Sequence, residues 1–434
     1  MNSTLKTTAL FLVVTTLIAI TGAMQSWNSA LLIVNMGLVS AIMSLGLNLQ
    51  WGFAGLFNVG VMGFVALGGL ATVLISMPPV HEAWRVGGVH VMTALFIGVL
   101  TIAIAIVVFR RIPKGSLRTT LLIVILVVGF VTYRAILDPG VAAVEAINPT
   151  ITGNLGGLGL PVLLAWPVGG LLAATAAWFI GKTALGLRSD YLAIATLGIA
   201  EILIAVLKHE DWLTRGVKNI IGLPRPVPYE VDLQNSPWFI EMVQDYGFEL
   251  AAASSFYVKV NYSLLFTVIL VILLIMAQLA LKSPWGRMIR AIRDNEVAAE
   301  AMGKDVTKRH LQIFILGSAI CGIAGAMMTT LDGQLTPGSY QPLRFTFLIW
   351  VMVILGGSGN NFGAVLGGFL IWFLWVQVEP IGLFLIDLLT AGLAEDSAIR
   401  EHLRQSAAHM RLLTMGLILL LVLRFAPRGL IPEK

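Results

Sequence analysis

Charge is what this 434-residue chain has least of: Asp, Glu, Lys and Arg make up 12% of it, against about 25% in a typical soluble domain. With 57% hydrophobic residues and a mean hydropathy of +0.88, a soluble globular class is excluded. Cysteine is nearly absent. The lone Cys321 rules out an intramolecular disulfide and any multi-cysteine metal site, and its apolar surroundings mark it as a small packing residue. The six histidines, His81, His90, His209, His310, His402 and His409, fall in loops or at the ends of apolar runs. There is no HExxH and no G-x-S-x-G elbow. Gly181-Lys182-Thr183 ends like a phosphate-binding loop, but Ala176 stands where its earlier glycine is required. No metal or cofactor is therefore expected on this chain, and no ATP hydrolysis. There is no 20–50-residue repeat and no low-complexity tail. The net charge of +5 is scattered through loops without aromatic interleaving, which excludes a nucleic-acid face.

What is present is a succession of apolar runs, each close to the length needed to cross about 30 Å of hydrocarbon. They do not alternate as barrel strands would. The reading is an all-α, polytopic helical membrane protein of about 10–12 transmembrane helices in a single domain, with membrane lipid around it. Candidate spans lie at 8–22, 30–49, 53–75, 91–109, 119–137, 161–180, 191–207, 262–281, 311–331, 345–356, 363–378 and 412–425. Threaded through them, Lys6 and four basic clusters fall on one side: Arg110, Arg111, Lys114 and Arg118; Lys182 and Arg188; the loop 283–310; and Arg424 with Arg428. By the positive-inside rule that side is the cytoplasm, and both termini lie there. Residues 208–259 and 379–411 then face the outside, the latter holding EDSAIREHLRQSAAHMR, which reads as a surface helix. The first run also fits a signal peptide, but its length serves equally as a first span, and it is read as retained.

One polar stretch interrupts this pattern, SPWGRMIRAIRDNEVAAEAMGKDVTKRH at 283–310. Asp294 is expected to cap a helix over 295–302, and Gly303 to stop it. Two turns, roughly 12 Å, are marginal alone in water, so the helix needs a partner surface. The ordered features here, a Gly-Arg turn, the EVAAEAMG core and the basic residues after it, resemble the coupling loop of ABC importer permeases. The closest likeness is to the branched-chain amino acid permease family, LivM-like members in particular.

The resemblance extends from about residue 31 to the C-terminus. LGLNLQWGFAGL at 45–56 is similar to the family's LGLNL-x-x-G-x-x-G segment, and LRSDYLAIATLG at 187–198 to LRGDYLAIxTLG, with Ser189 in place of glycine. TRGVKNI followed by IGLPRP at 214–226 resembles TGGxNGIxxIPRP, with Arg215 and Ile220 read at glycine positions. VILGGSGNNFG at 353–363 resembles VxLGGxGSxxG. The stretch 78–160, holding two spans, looks like an insertion that preserves orientation.

The resemblance implies an ABC importer permease architecture in a bacterial inner membrane. It implies a second, LivH-like permease subunit, two ABC ATPase subunits that use ATP and magnesium, and a periplasmic substrate-binding protein. Branched-chain amino acids are the implied substrates, with urea or short amides as alternatives. Arg287, Arg293, Glu296, Ala298, Ala299 and Gly303 are the implied ATPase-coupling residues. Polar residues inside apolar runs are costly and point to function, so Asn48, Asn58, Thr196 and Glu201 are pathway candidates. Asp190 reads as a helix-start residue. Asn219 and Arg225, in the outer segment, are candidates for a gate or a docking surface. Gly359, Gly363 and Gly367 form a small-xxx-small face for helix packing. An autonomous secondary transporter would need mid-membrane carboxylates, for which Glu201 and Asp387 alone are available, and no inverted repeat is evident. An intramembrane enzyme lacks a nucleophile–base pair.

Overall fold

The computed structural model describes residues 3–148, 153–392 and 397–433. Among them, nine helices are long and apolar enough to cross a membrane, and a bent pair can supply a tenth. Two shorter apolar helices bring the total to the twelve expected positions. The long helices are α1 Ser3–Met24, α2 Trp27–Leu47, α4 His81–Arg111, α5 Ser116–Glu145, α6 Ala165–Ala184, α7 Ser189–His209, α8 Leu250–Lys282, α11 Val306–Asp332 and α13 Asn361–Leu389. The short pair are α3 Val61–Ser76 and α12 Pro342–Gly356. Between α8 and α11 lie α9 Pro284–Asp294 and α10 Glu296–Ala301; α14 Ala398–Ser406 and α15 Met410–Phe425 close the chain. Of the surface helix expected over 395–411, residues 395–396 lie outside the described residues, α14 covers Ala398–Ser406, and a 3₁₀ turn over Ala407–His409 then leads into α15.

The centre is α11, which packs against α6, α3 and α2, while α13 and α8 close on α2. Small residues permit this closeness. A methyl group at Gly68 would collide with the Gly322 carbonyl of α11, and one at Gly325 with the Val65 carbonyl of α3. In lipid, such backbone approach replaces a hydrophobic driving force between helices. Gly363 and Gly367 meet α12 in the same way, but Gly359 leaves the expected face for a turn at φ +78°.

Several spans differ in extent from the sequence reading: α4, α5 and α13 run past the expected 91–109, 119–137 and 363–378, so the outer segment expected from 379 is helix as far as Leu389. The run 53–75 becomes helical only at Val61, because α2 winds into a π-helical turn over Asn48–Phe53 and the chain then runs irregularly to Gly60. Irregular backbone at this depth is tolerated only inside protein, and most of 54–60 is buried there. At 16 residues α3 is about 24 Å long. Conversely, α8 begins at Leu250 rather than at 262, so the outer segment ends ten residues or so earlier than the 208–259 expected.

Contacts at the two ends of the bundle agree with the charge-based threading. At one end, the segment Leu430–Ile431 packs on Leu10 and Val14 of α1, and Arg293 reaches both Gly52 and Glu433. At the other, Gln25 bonds Gln377, and the Lys259 ammonium donates to the Asn28 carbonyl. The only strands among the described residues, β1 Ile220–Ile221 and β2 Gln334–Leu335, pair antiparallel at this second end. Helices α4 and α5 form a hairpin whose base rests on Leu155 and Trp212, with Pro79 and Gly156 bridged at its neck.

Candidate functional site

At the basic end, α10 is the two-turn helix expected from the sequence, shorter by a residue at each end. Its N-cap is Asn295, whose side chain accepts from the Ala298 amide at 3.0 Å. Asp294, the cap expected from the sequence, instead ends α9. Adjacent Asp and Asn cap equally well, and only the preceding amphipathic helix decides between them. Gly303 stops the helix at φ +76°, as expected. Ala299 is buried against Ile292 and Val306, while Glu296, Ala298 and Arg287 are exposed. Val297 and Met302 stand outward, 77% and 78% exposed. These two apolar side chains, in the most polar loop of the protein, were not singled out from the sequence.

Arg293 ties this loop to the membrane core. Its Nη1 donates to the Gly52 carbonyl at 2.6 Å and to Glu433 Oε2 at 2.8 Å. Burial opposes the guanidinium's charge, but the hydrogen bonds and charges of Glu433 and Asp294 outweigh it and hold its pKa above the usual value. The C-terminal segment carrying Glu433 is held against the α12–α13 turn, where the Leu430 and Ile431 amides donate to the Leu355 and Gly356 carbonyls. Glu433 lies 140 residues from Arg293 along the chain, and no local signal points to it.

Three of the pathway candidates are buried and occupied internally. Asn48 donates to Asn361 Oδ1 and accepts from the Gly359 amide, pinning the π-helical turn to the α12–α13 turn. Asn58 donates to Gln50 and accepts from the Gly60 amide. Gln50 in turn donates to the Phe314 carbonyl and to Ser318. Thr196 accepts from the Val59 amide, which fixes the irregular segment to α7. These side chains set the shape of the broken region and do not face an open space. Asp190 lies at the start of α7, as expected.

Glu201 is different. It is exposed on α7 and opens into a cleft of 610 Å³ between α7, α12, α13 and α15. Lys208, Gln341 and Arg344 share the cleft, with Phe347 and Trp375 among its apolar walls. Lys208 and Arg344 were missed in the sequence because each stands at a helix end, where a cation attracts no notice.

In the outer segment, Arg225 pairs with Glu230 at 3.0 Å and lies over the Tyr229 ring. Asn219 is partly buried beside β1 with φ +60°. The left-handed residues are Arg215, at φ +56°, and Asn219; Ile220 is an ordinary strand residue paired with Leu335. The second glycine position of the motif therefore falls on Asn219 and not on Ile220. With ψ at 154°, Asn219 lies in a region that glycine enters far more readily than any other residue, as a glycine position requires. Among the described residues, no three His, Cys, Asp or Glu side chains gather as metal ligands would.

The profile of the family described as branched-chain amino acid transport system / permease component matches residues 140–423. The LivM permease protein of the high-affinity branched-chain amino acid transport system of Salmonella typhimurium is 26% identical over 300 residues, 68% of this chain and 62% of that protein. That alignment thus spans less than two thirds of the relative. A probable branched-chain amino acid transport permease protein LivM of Methanocaldococcus jannaschii is 26% identical over 398 residues, 91% of this chain and 90% of its own. The same organism's probable LivH is 32% identical over 106 residues, covering 24% of this chain and 33% of that one. No solved structure matches the chain.

Proposed function

The chain belongs to the branched-chain amino acid transport permease family, and from that premise we propose that it is one of two membrane-spanning subunits of an ATP-driven importer of branched-chain amino acids. Its second subunit is a LivH-like permease. Two separate ATPases hydrolyse the ATP, and a periplasmic binding protein delivers the solute. The subunit is multi-pass in a bacterial inner membrane, with the basic end and both termini in the cytoplasm.

The observation that carries this reading is α10. A helix of six residues is far below the length that is stable alone, yet it is capped at both ends and holds Val297 and Met302 out from the surface. Exposed apolar residues on a stub of this kind fit insertion into a groove of another protein. Arg293 supplies the strut from that stub to Gly52, at the broken part of the core. The test is Ala298→Asp in the assembled transporter, reconstituted in proteoliposomes with leucine. The expected outcome is loss of ATP-driven uptake and of ATPase co-purification, with the permease still inserted. Normal uptake at normal expression would remove α10 from the mechanism. Competition of leucine uptake by urea or acetamide would instead favour the amide-carrying branch of the family.

A further inference from the structure

The cleft holding Glu201 has a feature that the importer reading does not by itself require. Glu201, Lys208 and Arg344 form no ion pair with one another or with any other described residue, whereas Arg411, over the same Trp375 ring, is paired with Glu379. Arg344 stacks over Phe345 and Trp375, with its guanidinium carbon 5.1 Å from the Trp375 ring centre. Glu201 lies eight residues before the outer end of α7, so it sits about 12 Å deep. An ionised side chain at the centre of a spanning helix costs roughly 2.5–3.5 kcal/mol when it faces lipid. That cost falls on Glu201, since Lys208 and Arg344 stand at helix ends, and an unpaired carboxylate at this depth marks a wet or ligand-filled face.

The geometry has an order along the membrane normal. Lys208 is seven residues after Glu201, two turns further out on the same face of α7, about 10.5 Å higher. Arg344, in the first turn of α12, stands at the rim with Gln341. Below them the wall is apolar, with Phe347, Leu348 and Trp375. We propose that this cleft is a transit site for an α-amino acid zwitterion. Lys208 and Arg344 receive the carboxylate, Glu201 receives the ammonium, and the apolar wall accepts a branched aliphatic side chain. Each long side chain donates or accepts charge-assisted hydrogen bonds that no other residue claims. The proposal rests on the importer reading but adds to it the residues and the headgroup chemistry.

The test uses the complete transporter in proteoliposomes with its binding protein and leucine. In wild type, absence of ATP-dependent leucine uptake overturns the importer reading itself. With wild-type uptake present, Glu201→Gln and Arg344→Gln are each expected to lower uptake at least tenfold. Binding-protein-stimulated ATPase activity should stay within twofold in both. Phe347→Trp, which narrows the cleft at its apolar wall without removing a charge, is expected to lower uptake as well. Uptake within twofold of wild type in Phe347→Trp, or in both charge variants, overturns the transit site. Parallel loss of uptake and ATPase activity in all three variants overturns it too, since that pattern reports failed assembly of this face and not failed recognition.

Discussion

Replacing Arg293 by alanine removes four hydrogen bonds at once: to the Gly52 carbonyl, to Glu433, and two to Asp294. Their weights differ. The Asp294 carboxylate is 67% exposed, and a pair so placed contributes under about 1 kcal/mol. Arg293 and Glu433 are 23% and 28% exposed, so water screens their contact far less. A hydrogen bond to a charged partner in such a place is worth about 1.5–3 kcal/mol. Discounting both contacts for their partial exposure to about 1–1.5 kcal/mol each, about 2–3 kcal/mol together, and at tenfold per 1.36 kcal/mol, the strut accounts for about a 30- to 150-fold effect if it carries the whole coupling. The assay is leucine taken up per ATP hydrolysed in proteoliposomes. Arg293→Ala should lower that ratio within this range, while basal hydrolysis continues. Glu433→Gln keeps the bond to Gly52 and should cost about 1 kcal/mol, roughly fivefold. Arg293→Lys should fall between them, because an ammonium can take the place of the Nη1 donor but loses the paired Nε and Nη2 bonds to Asp294. A ratio within twofold of wild type for Arg293→Ala would refute the strut. Equal effects of Glu433→Gln and Arg293→Ala would show that Gly52 contributes nothing.

The left-handed backbone at Arg215 carries a cost of about 1–2 kcal/mol for a side chain with a Cβ. Arg215→Gly should therefore raise the thermal unfolding midpoint of the detergent-solubilised subunit. A fall in the midpoint would show that packing wins. Cysteine placed at Lys114 should react with membrane-impermeant maleimide only in opened membranes, and cysteine at Asn235 in intact spheroplasts. The reverse pattern would invert the topology. Buried Cys321 should add little background.

Span positions, and which loops share an end of the bundle, were legible because hydrocarbon thickness and charge placement act on single stretches of chain. The break before α3 was not, since Phe53, Ala54, Leu56, Phe57 and Val59 keep hydropathy high while the backbone is irregular. Gly52, Gly55, Asn58 and Gly60 did mark it, but a hydropathy window averages over them. The polar core residues were rightly singled out as costly, yet the sequence does not say whether a partner waits inside. For Asn48, Asn58 and Thr196 it does, and for Glu201 it does not. Arg293 was legible as part of the coupling loop, whereas its counter-charge at the far end of the chain became visible only in three dimensions.

The hairpin of α4 and α5 enters and leaves the protein through one narrow neck, where the Val80 amide meets the Leu155 carbonyl. Of the most apolar stretches of its two helices, only 17% and 6% of the residues are buried. Geometrically it is a cassette plugged into the bundle at its outer rim. A single joint across the neck would excise it without inverting any later helix, because two crossings are removed together. Its long flanks lie outside the packed core, so a force applied to them reaches the bundle through the contacts at Leu155 and Trp212.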